Sequence, residues 1–178
     1  MPENKKLIRV LVVGCGNMGA SHAMAYHTID GSEICGIVST GKSKEVLNEK
    51  LGGGYSLYND FEEALSNTKP DAVCISTYPD THESFAIKAL EKGCHVFIEK
   101  PLTDTVDGSE RVAAAAKESR EETGSGLYTA SSSFMGTFYT TRTTIGQAVG
   151  DAYEPEPAKS WQYVERASQP DEKFKSYC

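Results

Sequence analysis

The sequence predicts an α/β protein built as a doubly wound parallel sheet. Three observations carry that reading. Near-continuous apolar runs of strand length recur along the first two thirds of the chain, glycine-rich or polar turns follow them, and helical stretches separate them. Parallel strands need such crossovers, because a hairpin can only join antiparallel ones.

Each element has its own signal. Leu7 to Val13 is almost wholly apolar apart from Arg9, as a strand buried on both faces should be. A glycine loop follows, then a helical stretch from about Met18 to Thr28. Ile34 to Ser39 is the second strand, and Tyr55 to Tyr58 gives a faint third signal. Asp60-Phe61-Glu62-Glu63 has capping-box spacing and opens a short helix. Ala72 to Thr77 is a strand; Asp80-Thr81-His82-Glu83 repeats the capping spacing before a helix to Lys92, which Gly93 stops. His95 to Glu99 is another strand, ended by Pro101, and Asp107 to Ser119 reads as an alanine-rich helix.

Composition bounds the partners. The chain has 178 residues, enough for one domain, with 39% hydrophobic and 24% charged residues and a net charge of −7. An acidic balance argues against nucleic acid, whose phosphates call for a basic face. The longest apolar run, Val10 to Val13, is far short of a membrane span, and no signal-peptide segment follows the first methionine. Five cysteines (Cys15, Cys35, Cys74, Cys94 and Cys178) lie far apart without a C-x-x-C pair. Neither a disulfide framework nor a metal site is expected, and a cytoplasmic location is.

The chemistry lies at the strand ends. Gly14-Cys15-Gly16-Asn17-Met18-Gly19 is G-x-G-x-x-G between a strand and a helix. The first glycine permits the tight turn, the second admits a pyrophosphate to the backbone, and the third lets helix and strand pack closely. This predicts a dinucleotide cofactor, NAD or NADP. The acidic residue that would hold the ribose 2′-hydroxyl of NAD is missing: the second strand ends in Ser39-Thr40-Gly41-Lys42-Ser43. Thr40 and Lys42 could instead receive a 2′-phosphate, or stand as a solvated turn. Cys15 sits near a helix N-terminus, a position that can lower a thiol pKa, although a small side chain that simply fits is the commoner reason for such a residue. His22, His27 and His95 read as packing or surface residues.

These residues carry a resemblance. Val12-Val13-Gly14-Cys15-Gly16-Asn17-Met18-Gly19, then Ser76-Thr77-Tyr78-Pro79 with Thr81-His82, and above all Glu99-Lys100-Pro101 resemble the Gfo/Idh/MocA oxidoreductases over residues 7 to about 119. The resemblance implies a Rossmann domain for NAD(H) or NADP(H), followed by a larger substrate domain. It implies that Ser76, Thr77, His82 and Glu99 belong to the cofactor site, and that Lys100 reaches toward nicotinamide and substrate as the catalytic residue; read from the residues alone, His82 in a helix's first turn is as often structural as a cofactor contact, and Lys100 could be a strand-end charge before a turn-forming proline. An ammonium there can stabilise an alkoxide while hydride leaves carbon.

The composition breaks near residue 120. Residues 1–120 contain 24 Leu, Ile and Val, whereas residues 121–178 contain 4, with 14 Ser and Thr. The expected division is therefore a cofactor domain over 1–120 and an irregular tail over 121–178, too poor in aliphatics for a core. Neither the family's sixth strand nor its substrate domain is legible in that tail. Back-translated and read one base later, the codons of Gly124 to Gly136 allow V-V-G-Y-I-L-R-H-H-P-S-W, which looks like the family's sixth strand. Those of Gly146 to Glu165 allow K-P-L-V-M-R-M-N-L-N-Q-Q-S-H-G-N-M-W, again similar to the family. An out-of-frame translation after about Ser119 is the reading this favours, and an ordinary Ser/Thr-rich disordered tail is the other. Two functional classes follow: a dehydrogenase reduced to its cofactor half, with a small-molecule substrate only where a second domain exists, or a nucleotide-binding module without turnover.

Overall fold

The computed structural model describes residues 7–129. In chain order the elements are β1 (Ile8–Val13), α1 (Asn17–Thr28), β2 (Ser32–Val38), α2 (Ser43–Lys50), β3 (Leu57–Tyr58), α3 (Phe61–Thr68), β4 (Ala72–Ile75), α4 (Pro79–Glu91), β5 (His95–Ile98), α5 (Val106–Thr123) and β6 (Leu127–Thr129). The six strands lie in the order β3-β2-β1-β4-β5-β6, and every neighbouring pair is parallel. The expected doubly wound sheet is the observed one.

Alternation along β1 builds two cores. Leu11 and Val13 point to one face, with Val73 and Ile75 of β4, Val96 and Ile98 of β5, and the buried sides of α3, α4 and α5. Val10 and Val12 point to the other, with Ala23 and Tyr26 of α1, Leu47 of α2, Cys74 and Phe97. A central strand must be apolar at every position to serve both faces, which is why Leu7 to Val13 reads as a run and not as an alternation. Each such side chain contributes roughly 1.5–3 kcal/mol on burial.

The helix ends follow local chemistry, with one correction. Asp60 caps α3, accepting the Glu63 N–H at 2.8 Å. Asp80 does not cap α4. That helix begins at Pro79, whose fixed φ suits the first helical position, with Tyr78 as its N-cap and no capping side chain.

Two elements go beyond the sequence reading. Helix α2 is absent from the periodic signals because its only aliphatics are Val46, half exposed, and Leu47, buried; a lysine, Lys44, takes the second inward position. The chain also forms a sixth strand in its own frame, contrary to expectation. Helix α5 continues to Thr123 and ends on Gly124 in the left-handed conformation. The Ser125 hydroxyl then donates to the Gly93 carbonyl at 2.6 Å, and the Gly126 carbonyl accepts the Val96 N–H at 2.8 Å. Pairing with β5 runs from Val96–Leu127 to Ile98–Thr129. The reason is that an open strand edge asks only for backbone partners, and three residues, two of them the strand formers Tyr128 and Thr129, suffice to supply them. Residues 130–178, most of the expected tail, lie outside the described residues.

His95 locks that junction. Its Nδ1 accepts the Gly126 N–H at 3.1 Å, which requires that nitrogen to be unprotonated. Burial holds the imidazole pKa below its ordinary 6.5, with Asp71 opposing. Because the folded chain binds this proton less readily than the unfolded one, the contribution is complete above pH 6.5 and is lost as pH falls from there through the lowered folded value. Acidification from about pH 7.5 to about pH 5.5 should therefore lower the amide protection factors, exchange being taken relative to the intrinsic rate at each pH, at Leu127–Thr129 more than at Ile8–Val13, and His95→Asn should remove most of that difference. Hydrogen-exchange mass spectrometry checks this; equal pH sensitivity of the two strands contradicts it.

Candidate functional site

Four backbone hydrogen bonds place the sequence-selected residues in one row. One residue past each strand's end, the Ser39 N–H donates to Tyr58 O (3.1 Å), Gly14 to Val38 O (2.9 Å), Ser76 to Val13 O (2.8 Å) and Glu99 to Ile75 O (2.9 Å). Ser39, Gly14, Ser76 and Glu99 are thus successive rungs along the carboxyl edge of the sheet. The chain leaves β1 toward one side and β4 toward the other, so the row spans the switch point where open α/β sheets take ligands.

The three glycines have separate reasons. Gly14 has φ +93°, and a Cβ there would lie 2.4 Å from the Ser76 carbonyl oxygen. At Gly19 it would lie 1.9 Å from the Gly14 carbonyl oxygen, so α1 packs directly on the turn that precedes it. At Gly16 nothing stands within 4 Å. Its smallness serves no intramolecular contact, leaving open space before α1. That helix has no capping side chain and no acidic residue in its first turn. Its leading N–H groups have the arrangement that receives an anionic phosphate.

Around this turn Asn17 is exposed and Met18 half-buried. Cys15 is half-buried, and burial pushes its thiol up to about 11, the opposite of the lowering its position near α1 could give. The site gains no reactive thiolate from it.

Glu99 and His22 form a buried pair, Oε1 to Nε2 at 2.7 Å, with the ring edge-on to Phe97. The other Glu99 oxygen accepts the Lys100 backbone N–H at 3.2 Å. Both oxygens are engaged, so Glu99 acts on the site by holding the backbone that carries Lys100. His22 is indeed a packing residue, with a partner that spacing alone did not reveal. Lys100 is exposed on the same edge, followed by a cis bond to Pro101.

Of the two places the sequence leaves open for His82, the structure shows the packed one. It is fully buried, with Nε2 3.1 Å from Thr77 O and Nδ1 3.0 Å from Pro101 O. The first turn of α4 directs the ring back between the loops that follow β4 and β5, tying them together. The Thr77 hydroxyl meets that of Thr81 at 2.7 Å, and both Ser76 and Thr77 stay partly exposed at the rim.

At the other end, Thr40 and Lys42 are exposed. Below them lies a residue the sequence reading did not select. Lys44 is 6% exposed and donates to Ser39 O and Gly41 O, each at 2.9 Å, and to Asn59 Oδ1 at 2.8 Å. The Ser39 and Ser43 hydroxyls pair at 2.9 Å above it. Among the described residues no cluster of three or more His, Cys, Asp or Glu could hold a metal, and no helix is long and apolar enough to cross a membrane.

Sheet order, glycine turn and uncapped helix together define a dinucleotide-binding Rossmann domain. The chain belongs to the Gfo/Idh/MocA oxidoreductase family with its NAD-binding Rossmann fold, matched over residues 8–126. It is 36% identical over 110 residues to an inositol 2-dehydrogenase of Pseudarthrobacter chlorophenolicus, covering 61% of this chain and 32% of that one. Inositol 2-dehydrogenase 1 of Paenarthrobacter aurescens is 35% identical over 112 residues, covering 62% and 33%. Among solved structures, an NAD-binding protein from Listeria innocua superposes with a TM-score of 0.60 at 31% identity, over 70% of this chain and 34% of that one. GenD2 from gentamicin A biosynthesis, in complex with NAD, gives 0.62 at 27%, again over 70% and 34%. The chain spans about a third of the length of the relatives it matches.

The glycines give a direct test. Gly16→Val, in open space at negative φ, should leave secondary structure and melting temperature nearly unchanged while weakening dinucleotide binding at least about tenfold. Gly19→Ala should instead destabilise the fold by roughly 1–3 kcal/mol through overpacking. Calorimetric titration with melting curves separates the two; a Gly16→Val variant that binds normally removes the pyrophosphate from this turn.

Proposed function

We propose that the chain is the cofactor half of an NAD(P)-dependent oxidoreductase that moves hydride to or from a carbinol carbon of a sugar- or polyol-like substrate. The observation that carries this reading is the row of rungs, which sets Lys100 on the same edge as Gly14 and Ser76, held there through Glu99 and His22. The inositol dehydrogenase relatives support the substrate class.

Gly14 to Gly19 would hold the pyrophosphate by backbone N–H groups at the start of α1, with Ser76 and Thr77 along the rim. The nicotinamide, when bound, accepts or returns a hydride. Lys100 supplies the polar half of the chemistry. Its ammonium would donate a hydrogen bond to the reacting oxygen and stabilise the negative charge that oxygen carries as an alkoxide, present before hydride leaves carbon in oxidation and formed as hydride arrives at the carbonyl carbon in reduction. Glu99 keeps the Lys100 backbone in place by accepting its N–H.

The remainder of the gene is argued from its codons. The family match ends at residue 126, and the shifted frame reads Tyr-Ile-Leu at the three positions of β6, a trio as strand-prone as Leu127-Tyr128-Thr129. We infer a frame change between about Ser119 and Gly124, beyond which the shifted reading continues the family pattern. An uninterrupted native frame in gene and transcript across the codons for Lys117 to Gly126 would overturn that inference. In the frame-restored protein, Lys100→Ala should lower kcat at least about a hundredfold with a far smaller change in cofactor affinity. Steady-state kinetics on inositols and related polyols measures it, and near-normal turnover would make Lys100 structural.

A further inference from the structure

One exposed ring on the carboxyl edge is given no part by the cofactor assignment. Among the described residues the large hydrophobic side chains left in water are Leu7, Met24, Val46, Tyr78 and Val106. Tyr78 is the most exposed of them, at 81%, and it alone stands within two residues of a rung. It is the N-cap of α4, but its side chain caps nothing. Its backbone, by contrast, is pinned: Tyr78 O accepts the Thr81 N–H at 3.0 Å and the Thr81 hydroxyl at 2.8 Å. The preceding carbonyl, Thr77 O, lies 3.1 Å from His82 Nε2, and Nδ1 of the same ring lies 3.0 Å from Pro101 O. Tyr78 follows Thr77 and Lys100 precedes Pro101, so one buried imidazole fixes the spacing between the aromatic residue and the ammonium. A hydrophobic ring kept in water on so firm a base suits a binding surface, because the loop is ordered before any ligand arrives.

What such a ring can recognise follows from the substrate class. A cyclic polyol carries its hydroxyls around its rim and C–H bonds on its faces, so each face is apolar and its hydrogens are slightly positive. An aromatic face, negative at its centre, is complementary to that surface and needs no hydrogen bond to it. We propose that Tyr78 is a substrate-binding residue, its ring packing on the C–H face of a cyclic polyol or sugar whose reacting hydroxyl meets Lys100. An acyclic polyol has the same hydroxyls and no such face, so Tyr78 selects rings over open chains. The inference rests on the oxidoreductase reading above and adds a residue that sorts its substrates by shape.

The test is saturation-transfer NMR on the 178-residue chain loaded with NADH, in which irradiated tyrosine ring protons pass their saturation to the C–H protons of added myo-inositol. Transfer to myo-inositol should exceed transfer to glycerol. Tyr78→Ala should cut the inositol signal at least about fivefold, whereas Tyr78→Phe should keep most of it. Because the side chain is exposed and caps nothing, Tyr78→Ala should melt like the unaltered chain. Calorimetry should give that variant an NADH affinity within about twofold of the unaltered one. A loss of NADH affinity of about tenfold or more would make the ring a cofactor contact and overturn the proposal. Equal transfer in Tyr78→Ala and the unaltered chain overturns it too, as does absence of transfer in a chain that binds NADH. A chain that binds no NADH would overturn the oxidoreductase reading itself, and this inference with it.

Discussion

The contact between the start of α1 and the end of β1 is the constraint on which the rest of this structure depends. Added carbon at Gly14 or Gly19 would run into main-chain oxygen, so neither strand, turn nor helix can move without the others. Because Gly14 also abuts Ser76, the same contact fixes the spacing of β1 and β4 at the centre of the sheet. The open space at Gly16 exists because its neighbours on either side are packed so closely. A phosphate seat here is a by-product of tight packing and needs no side chain of its own.

Charge is handled differently at the two ends of the row. Near Lys100, the buried acid Glu99 meets a histidine and a backbone N–H, leaving the exposed ammonium free to face solvent. Near Ser39 the buried group is itself a cation, satisfied by carbonyl oxygens and one side-chain amide. In both places a buried charge organises backbone, and the groups left to face a ligand are short hydroxyls or long, flexible lysines. Between them His82 fastens the rims after β4 and β5 to each other.

Much of this was legible in the sequence. The apolar runs gave β1, β2, β4 and β5 within a few residues, because strands buried on both faces leave a signal that needs no context. The glycine spacing marked the tight turn between β1 and α1 for the same reason: its demands are local. Helix α2 was not legible, since its buried face consists of Leu47 and the stem of a lysine. Lys44 was passed over for Lys42 because only three-dimensional contact shows which of two nearby lysines points inward. His82 stayed open between cleft and core, since the carbonyls that hold it lie 5 and 19 residues away. Strand β6 escaped notice because edge pairing is decided by what the neighbouring strand offers and leaves little trace in composition.

The row of rungs has a consequence for how such a protein can change. All four of its hydrogen bonds join main-chain atoms, so away from Gly14, where no side chain fits, the framework does not depend on a side-chain partner at the rung. Serine at one rung could give way to aspartate, or the residue beside another could lose its amine, without displacing the neighbouring strands. Cofactor choice and chemistry are then separable traits, each reachable by a single substitution along an edge whose geometry is inherited unchanged. A gene that duplicates such a domain starts with the scaffold settled and only the decoration to explore.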